Sequence, residues 1–186
     1  NHQFDLEQFV EILNQYKAGD LLVLQNEINH IDQLINIASK RHLTIALNPS
    51  PFSQDLLQLP LEKCSYLFIN EVEGEALTKQ SETQAILNVI ATKYPQCEIV
   101  LTLGSKGAIV QKGQEIYQQD AFKVTSIDST GAGDTFTGFY LGEKCLGKSI
   151  QESLRFASAA SALSVTKKGA MDSIPSLDEV LSFLER

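Results

Sequence analysis

The sequence predicts an α/β fold in which a doubly wound, mainly parallel sheet is flanked by helices. Segments with apolar residues at helical spacing alternate with short apolar runs along the first hundred residues. Two of these runs, LLVLQ (21–25) and LTIALN (43–48), are almost continuously apolar, which is typical of strands buried on both faces. Strands that alternate with helices indicate a parallel sheet whose strands are joined by helical crossovers.

Helices and strands are predicted in turn along the first half of the chain. A helix over 5–17 ends at Gly19-Asp20, and a second covers 30–42 with its apolar residues in one stripe. Pro49-Ser50-Pro51 breaks the chain after the second strand. The predicted strands are 21–25, 43–48, 65–70 and 98–104.

Turn and capping chemistry predicts the remaining elements. Residues 70–73 and 81–84 both have the spacing of a capping box, so a helix is expected to begin at each. Turn residues on either side of a short apolar run predict a β-hairpin from residue 104 onward. From residue 134 the pattern is helical almost to the end of the chain.

Composition narrows the classes of function. The net charge of −8 argues against nucleic acid as the main partner, because that binding depends on Lys and Arg side chains. No apolar run approaches the ~20 residues of a membrane span, so no membrane partner is expected. The three cysteines have no metal-ligand spacing, which is compatible with a reducing cytoplasm.

Polar residues follow four consecutive predicted strands, where ligands of open α/β sheets bind. Since the carboxyl ends of parallel strands meet at one edge, these residues predict one shared cleft. They are Gln25-Asn26-Glu27, Asn48, Asn70-Glu71 and Gly104-Ser105.

A P-loop pattern, G-x-x-x-x-G-K-[ST], occurs at Gly142–Ser149. Its context favours a junction between two helices, because Gly147 stands where a helix-ending glycine belongs and Ser149 forms a capping box with Glu152. No later strand offers the Asp that a P-loop enzyme uses for Mg²⁺. The match is therefore interpreted as a helix end followed by a helix cap.

A second glycine-rich phrase, Gly131-Ala132-Gly133-Asp134, precedes a predicted helix. Backbone amides at a helix N-terminus bind anions, and glycines let a ligand approach closely. The same four residues also suit a flexible turn with a capping Asp. The spacing alone leaves both interpretations open, but it excludes the dinucleotide fingerprint, since Phe136 stands where the third glycine would be.

Several motifs together resemble those of the ribokinase-like sugar kinases, the phosphofructokinase-B family. Their order and spacing match the family along nearly the whole chain. The motifs are Leu24-Gln25-Asn26-Glu27, Asn48-Pro49-Ser50-Pro51, Asn70-Glu71-Val72-Glu73, Thr102–Gly107, Asp128–Phe136 and Ser164–Ala170.

The resemblance implies ATP-dependent phosphorylation of a sugar hydroxyl, most closely that of ribose to ribose 5-phosphate. It makes Asp134 the base that takes the proton from the attacking hydroxyl, and the amides of Gly131, Ala132 and Gly133 an anion hole for the transferred phosphoryl group. The implied ATP-binding residues are Asn70, Thr102, Leu103, Gly104, Ser105, Lys106, Gly107, Gly133, Asp134 and Ser158.

The same resemblance implies two ions and a sugar contact. Glu73 is expected to act on Mg²⁺ indirectly, through its waters, and Glu27 to hydrogen-bond the sugar together with Asp134. A K⁺ site is expected beside the anion hole, with Lys167 contributing its backbone carbonyl because an ammonium group has no acceptor. The expected K⁺ residues are Asp128, Thr130, Ser164, Lys167, Gly169 and Ser173.

The chain departs from the family pattern at its beginning. The Gly-Gly sugar-binding segment and the β-sheet lid, through which ribokinase-like enzymes often form homodimers, are not found in it. We therefore expect residues 1–186 to be the C-terminal, nucleotide-binding part of a longer kinase, with weak or no activity alone. Alternative functions are a kinase for another sugar or a nucleoside, with fructose or 2-keto-3-deoxygluconate as examples, and a non-catalytic module that binds ATP or sugar.

Overall fold

The structure is a computed structural model and describes residues 5–185. Strands and helices alternate along the first hundred residues, and helices follow the last strand. The strands are β1 (Leu21–Gln25), β2 (Thr44–Asn48), β3 (Tyr66–Asn70), β4 (Glu98–Thr102), β5 (Ala108–Lys112) and β6 (Glu115–Gln119). The helices are α1 (Leu6–Leu13), α2 (Ile31–Lys40), α3 (Glu71–Thr78), α4 (Thr83–Lys93), α5 (Ala132–Cys145), α6 (Ile150–Ser164) and α7 (Leu177–Leu184). Short 3₁₀ turns lie at Gln54–Gln58, Leu61–Lys63 and Gly104–Lys106.

The six strands lie in a sheet in the order in which they occur along the chain, β1 to β6. The pairs β1–β2 and β2–β3 are parallel, whereas two residues join β5 to β6, a connection that only antiparallel strands allow. The sheet is therefore mixed, and the predicted α/β class is confirmed. The register places Gln25 opposite Asn48, so β1 and β2 end at the same level.

The chain divides into two compact units. The first comprises residues 1–101 and 111–115, and the second comprises residues 102–110 and 116–186. Each unit has its own set of buried side chains and its own group of candidate functional residues.

In the first unit, α2 packs against β2 and α3 packs against β3. The predicted stripe on α2 is confirmed, because its Leu34, Ile35 and Ala38 side chains are at most 1% exposed. Ile45 and Leu47 on β2 are completely buried. Each large aliphatic side chain of this kind stabilises the fold by about 1.5–3 kcal/mol relative to exposure.

The prediction that β1 is buried on both faces is wrong. Leu24 is buried, but the side chain of Val23 is 47% exposed. The reason is position, since β1 pairs only with β2 among the described residues and so lies at the edge of the sheet. A continuous apolar run reports burial in a parallel sheet on average, and it cannot distinguish an edge strand from a central one.

Two predicted helix boundaries also differ from the structure. The helix expected over 5–17 ends at Leu13, several residues before the turn at Gly19, whose φ is +90°. The helix expected to begin with a Ser81 capping box instead has Glu82 as N-cap, with no side-chain capping bond. A capping box requires that the N-cap residue have extended backbone. The three-residue spacing in the sequence does not determine which residue adopts that conformation.

In the second unit, α5 packs against α6, and α6 packs against α7. Ala159, Ala160 and Val180 are completely buried, with aromatic side chains packed around them. The Phe122 and Phe183 rings make an edge-to-face contact with 5.3 Å between centroids. These contacts hold the three helices together around the segment that carries the anion-binding candidates.

The helix-junction interpretation of the P-loop pattern is confirmed. Helix α5 ends at Cys145, and Gly147 has a left-handed φ of +78°. Ser149 caps α6 in a reciprocal capping box with Glu152. The Glu152 amide at the start of α6 is thus capped by Ser149. Gly142 lies inside α5, whereas a P-loop requires a β-strand directly before its first glycine.

Candidate functional site

The predicted capping box at the end of β3 is present and holds a buried carboxylate. Asn70 Oδ1 accepts a hydrogen bond from the Glu73 amide at 2.9 Å, and Glu73 Oε2 accepts one from the Asn70 amide at 3.0 Å. Glu73 is only 5% exposed, whereas Asn70 is exposed. The amide nitrogen of the Asn70 side chain has no hydrogen-bond partner within residues 5–185 and is thus a donor that a phosphate oxygen could use.

Hydrogen bonds join three of the strand ends that were expected to share a cleft. The Ser50 hydroxyl donates to Glu73 Oε1, and the Ser50 amide donates to Asn48 Oδ1 at 3.1 Å. The Asn26 amide donates to the Ser50 carbonyl at 3.1 Å. We call Asn26, Asn48, Ser50, Asn70 and Glu73 the strand-end cluster. Within the first unit, the expectation that these loops meet is confirmed.

Glu27, the predicted sugar ligand, follows Asn26 in the loop after β1. Its side chain is exposed. Its neighbour is held firmly, because the Asn26 side-chain amide donates to the Pro51 carbonyl at 2.6 Å and to Ser53 Oγ at 3.3 Å. The loop backbone is therefore fixed while the carboxylate stays accessible to a ligand.

The two glycines of the predicted nucleotide segment, residues 102–107, have different surroundings. Gly107 has a φ of +108°, and a Cβ placed on it would lie 2.0 Å from the carbonyl oxygen of Gln119. Gly104 has a φ of +55° and nothing within 4 Å of the equivalent point. Packing of the hairpin therefore explains Gly107, while Gly104 leaves open space that a nucleotide could occupy.

The predicted anion hole lies at the N-terminus of α5. Gly131 is the N-cap residue, with a left-handed φ of +76°, and Asp134 lies in the first turn. The Ala132 amide donates to the Ser129 carbonyl at 3.2 Å, and the Gly133 amide has no carbonyl partner within the described part of the chain. First-turn amides of a helix attract negative charge, so this segment has the backbone geometry of an anion site.

Close packing behind this loop favours a glycine at position 131. A Cβ on Gly131 would lie 3.2 Å from both the Cα and the Cβ of Ala170. By contrast, a Cβ on Gly133 would meet nothing within 4 Å. Backbone conformation and packing within the protein therefore favour glycine at position 131, whereas at position 133 the protein leaves room for a ligand.

Asp128 links two segments of the predicted K⁺ site. Its Oδ1 accepts hydrogen bonds from the Thr130 amide at 3.0 Å and the Thr130 hydroxyl at 2.7 Å, and its Oδ2 accepts one from the Gly169 amide at 3.0 Å. These bonds, with that from Gly169 the strongest, lower the pKa of Asp128 from 3.8 to about 2. The carboxylate is therefore fully ionised at neutral pH and holds the two segments together.

The other predicted K⁺ residues make different contacts. The Ser164 hydroxyl donates to the Ser161 carbonyl at 2.8 Å, and the Ser173 hydroxyl donates to the Ala170 carbonyl at 2.8 Å. Lys167 Nζ lies 3.0 Å from Glu179 of α7. Its ammonium group is thus directed to a carboxylate, which leaves only the backbone carbonyl of Lys167 as a possible cation ligand.

Helices α5 and α6 carry two buried hydroxyl groups that lack a partner in the described structure. Ser158, one of the expected ATP-binding residues, is 8% exposed, and Thr135 in the first turn of α5 is 3% exposed. Buried hydroxyl groups normally form hydrogen bonds. Ser158 therefore has an unused donor and acceptor in the unit that carries the predicted anion hole.

The described residues contain no group of three or more His, Cys, Asp or Glu side chains that could hold a metal ion. Mg²⁺ in nucleotide enzymes is commonly bound by one or two protein groups, several waters and the substrate phosphates. The isolated Glu73 carboxylate fits such an indirect role. Asp128 and Gly169, two of the predicted K⁺ residues, are in direct contact, and the K⁺ site itself stays a prediction.

Sequence analysis missed the two residues that complete these clusters. Ser50 was considered only as one letter of a motif, yet it contacts three strand ends. Ala170 was not singled out as the residue against which Gly131 packs. No local pattern signals the contacts of Ser50 with Asn26 and Glu73, or that of Ala170 with Gly131, because these partners lie more than twenty positions apart in the sequence.

In the part of the chain that the structure describes, no helix is both long enough and apolar enough to cross a membrane.

Comparison with known proteins identifies the family. The pfkB family of carbohydrate kinases matches residues 1–177. The chain is 35% identical to the ribokinase of Haemophilus influenzae over 180 residues, which are 92% of this chain and 58% of that protein. It thus spans little more than half the length of this relative.

Solved structures show the same relationship. The ribokinase of Arabidopsis thaliana, solved with ribose and ATP, is 30% identical and has a TM-score of 0.81, with 97% of this chain and 59% of that chain covered. The ribokinase of Cryptococcus neoformans, solved with ADP, is 29% identical and has a TM-score of 0.80, with 91% and 60% covered. The family match, these similarities and the ribokinase-like fold agree, and the chain belongs to the pfkB family of carbohydrate kinases.

Proposed function

We propose that this chain is the C-terminal, nucleotide-binding part of an ATP-dependent sugar kinase that converts ribose to ribose 5-phosphate. One observation carries the proposal: a glycine-rich helix N-terminus, Gly131–Asp134, combines backbone donors with a carboxylate in one turn. The Arabidopsis relative, which binds ribose and ATP, supports the choice of sugar and nucleotide.

Each cluster supplies one part of phosphoryl transfer, which depends mainly on positioning and on stabilising negative charge. The amide of Gly133 and its neighbours would stabilise the transferred phosphoryl group, and Asp134 would accept the proton of the sugar hydroxyl. Asn70 would donate its side-chain amide to a phosphate oxygen, and residues 102–107 with Ser158 would line the nucleotide. Glu27 would accept hydrogen bonds from sugar hydroxyls.

The two ions have supporting roles. Mg²⁺, when bound, neutralises phosphate charge, and Glu73 would orient its waters from a buried, doubly hydrogen-bonded position. K⁺ would be held by oxygen atoms of Asp128, Thr130, Ser164, Lys167, Gly169 and Ser173, beside the loop that Asp128 organises. We further propose that the longer protein acts in the cytoplasm as a homodimer.

Two alternative functions would need different sets of these groups. A kinase for fructose, 2-keto-3-deoxygluconate or a nucleoside would retain all of these groups and would differ in its acceptor pocket. A non-catalytic module that senses ATP or sugar would have no need of Asp134, so this carboxylate favours the enzyme.

The decisive experiment measures ADP release by the longer protein with a panel of these acceptors. We expect D134N to lower turnover by ~10²–10⁴-fold, the usual value of general-base catalysis, while ATP affinity stays within about twofold. The matched control is D178N, because Asp178 also lies in the first turn of a helix, α7, but outside the site. Wild-type turnover by D134N would refute the role of Asp134, and ATP binding without turnover by the unmodified protein would favour the sensing module.

The chain by itself is expected to turn over ribose weakly or not at all. Equal turnover by residues 1–186 and by the longer protein would contradict this expectation.

A further inference from the structure

Ser50 makes three hydrogen bonds through three different groups. Its hydroxyl donates to Glu73 Oε1, its amide donates to Asn48 Oδ1, and its carbonyl accepts from the Asn26 amide. These partners belong to α3, to the end of β2 and to the loop after β1. A single residue therefore ties together three segments of the first unit.

The Glu73 carboxylate is held at both oxygens. Ser50 binds Oε1 and the Asn70 amide binds Oε2, so the group has one side-chain partner and one backbone partner. Because Glu73 is 5% exposed, water can replace a lost partner only if the side chain moves. Hydrogen bonds to an ionised carboxylate are about twice as strong as neutral ones, so the hydroxyl of Ser50 makes a substantial contribution to this orientation.

We propose that Ser50 is a positioning residue that fixes the orientation of Glu73 through its hydroxyl, while its backbone holds the loop that carries Glu27. The inference rests on the proposed function, in which Glu73 acts on Mg²⁺ and Glu27 contacts the sugar. The same residue also holds the loop after β1, since the Ser50 carbonyl accepts the Asn26 amide at 3.1 Å and Glu27 is the next residue. Ser50 thus joins the metal-organising group to the sugar-contacting loop.

Loss of the hydroxyl should act on the metal requirement more than on sugar affinity. In S50A the backbone bonds to Asn26 and Asn48 remain, so the Glu27 loop keeps its position. Glu73 Oε1 loses a charge-assisted bond, and the carboxylate turns away from its place. We expect a ~10-fold or larger rise in the Mg²⁺ concentration that gives half-maximal rate, with the KM for ribose changed less than about threefold.

The matched control is S53A. Ser53 lies three residues farther along the same loop and is also half-buried. It accepts a hydrogen bond from the Asn26 side chain, and no hydrogen bond joins it to Glu73 in the described structure. S53A should leave the Mg²⁺ requirement unchanged, and S50T, which keeps a hydroxyl, should restore it to near the wild-type value.

A second measurement does not depend on kinase activity. Hydrogen exchange of the Asn70 amide, which donates to Glu73 Oε2, can be followed by NMR in the chain itself. We expect faster exchange of this amide in S50A, wild-type exchange in S53A, and an intermediate rate in S50C, where a weak S–H donor replaces the hydroxyl. S50C serves in place of S50A if the alanine variant does not fold.

The two measurements separate the possible failures. An unchanged exchange rate of the Asn70 amide in S50A and S50C would overturn the positioning role of Ser50. This holds whether or not the longer protein is a kinase. Faster exchange with an unchanged Mg²⁺ requirement would overturn the link to the metal. If the longer protein shows no phosphoryl transfer, the proposed function fails, while the exchange data still decide whether Ser50 positions Glu73.

Discussion

Replacement of Gly131 by alanine tests whether the anion loop is built by packing within the protein. Gly131 is the N-cap of α5 and has a φ of +76°, a region that L-amino acids occupy only at a cost because of their Cβ. The new methyl group would also lie 3.2 Å from two atoms of Ala170. The substitution therefore combines backbone strain with a close contact at one position.

The expected loss of stability follows from these two effects. Left-handed backbone costs an alanine about 1–2 kcal/mol, and relief of the contact requires Ala170 to move by a few tenths of an ångström. We expect G131A to lower the free energy of unfolding by about 1–3 kcal/mol. For a chain of 186 residues, each 1 kcal/mol corresponds to about 2–4 °C in Tm.

A control of opposite sign is available in the same helix. Gly138 lies in the middle of α5, has no left-handed φ, and would place a Cβ within 4 Å of nothing in the described structure. Alanine at such a position stabilises a helix by about 0.5–1 kcal/mol. G138A should therefore raise the Tm while G131A lowers it.

Thermal and urea unfolding followed by circular dichroism measure both variants. The double variant G131A/A170G distinguishes the two contributions, since it removes one contact atom and leaves the backbone strain. It should recover only part of the loss. A G131A protein as stable as the wild type would refute the argument from φ and packing.

Two further predictions concern the same segment. G133A should leave the free energy of unfolding unchanged or slightly raised, because a Cβ at this position meets nothing within 4 Å. It should reduce phosphoryl transfer by the longer protein, because the methyl group would occupy the space proposed for the phosphoryl group. Normal turnover by G133A would show that no ligand approaches this position. The pKa of Asp128 is lower in the folded chain, at about 2, than its ordinary value of 3.8, so its contribution to stability is complete above pH ~4 and is lost as the pH falls through about 2. D128N should accordingly be less stable than the wild type at pH 7 and equally stable below pH ~2 in urea unfolding, and a stability difference that persists at pH 2 would contradict this assignment.

Local signals predicted the elements well where backbone geometry depends on neighbouring residues. The strand at 21–25 and the capping boxes at Asn70 and Ser149 were all predicted from a few adjacent letters. Apolar periodicity also identified the buried stripe of α2. In each case the residues that determine the feature lie close together in the sequence.

Features that depend on distant residues could not be predicted in this way. The exposure of Val23 depends on what lies beside β1, and the hydrogen bonds of Ser50 to Asn26 and Glu73 depend on segments that follow other strands. The glycine at position 107 illustrates the same point, since the motif assigned it to the nucleotide, whereas the backbone of Gln119 already requires it. A sequence motif identifies these residues. Only the packing shows whether each of them is required by a ligand or by the fold.

The last helix, α7, lies almost entirely beyond the end of the family match. The match ends at residue 177, the first residue of α7, yet this helix buries Val180 against Ala159 and Ala160. Glu179 of α7 also pairs with Lys167, two residues before the glycine that binds Asp128. A boundary drawn at residue 177 would therefore remove a helix that packs against α6 and whose Glu179 pairs with Lys167. For this chain, the family model therefore ends before the last helix that packs against α6.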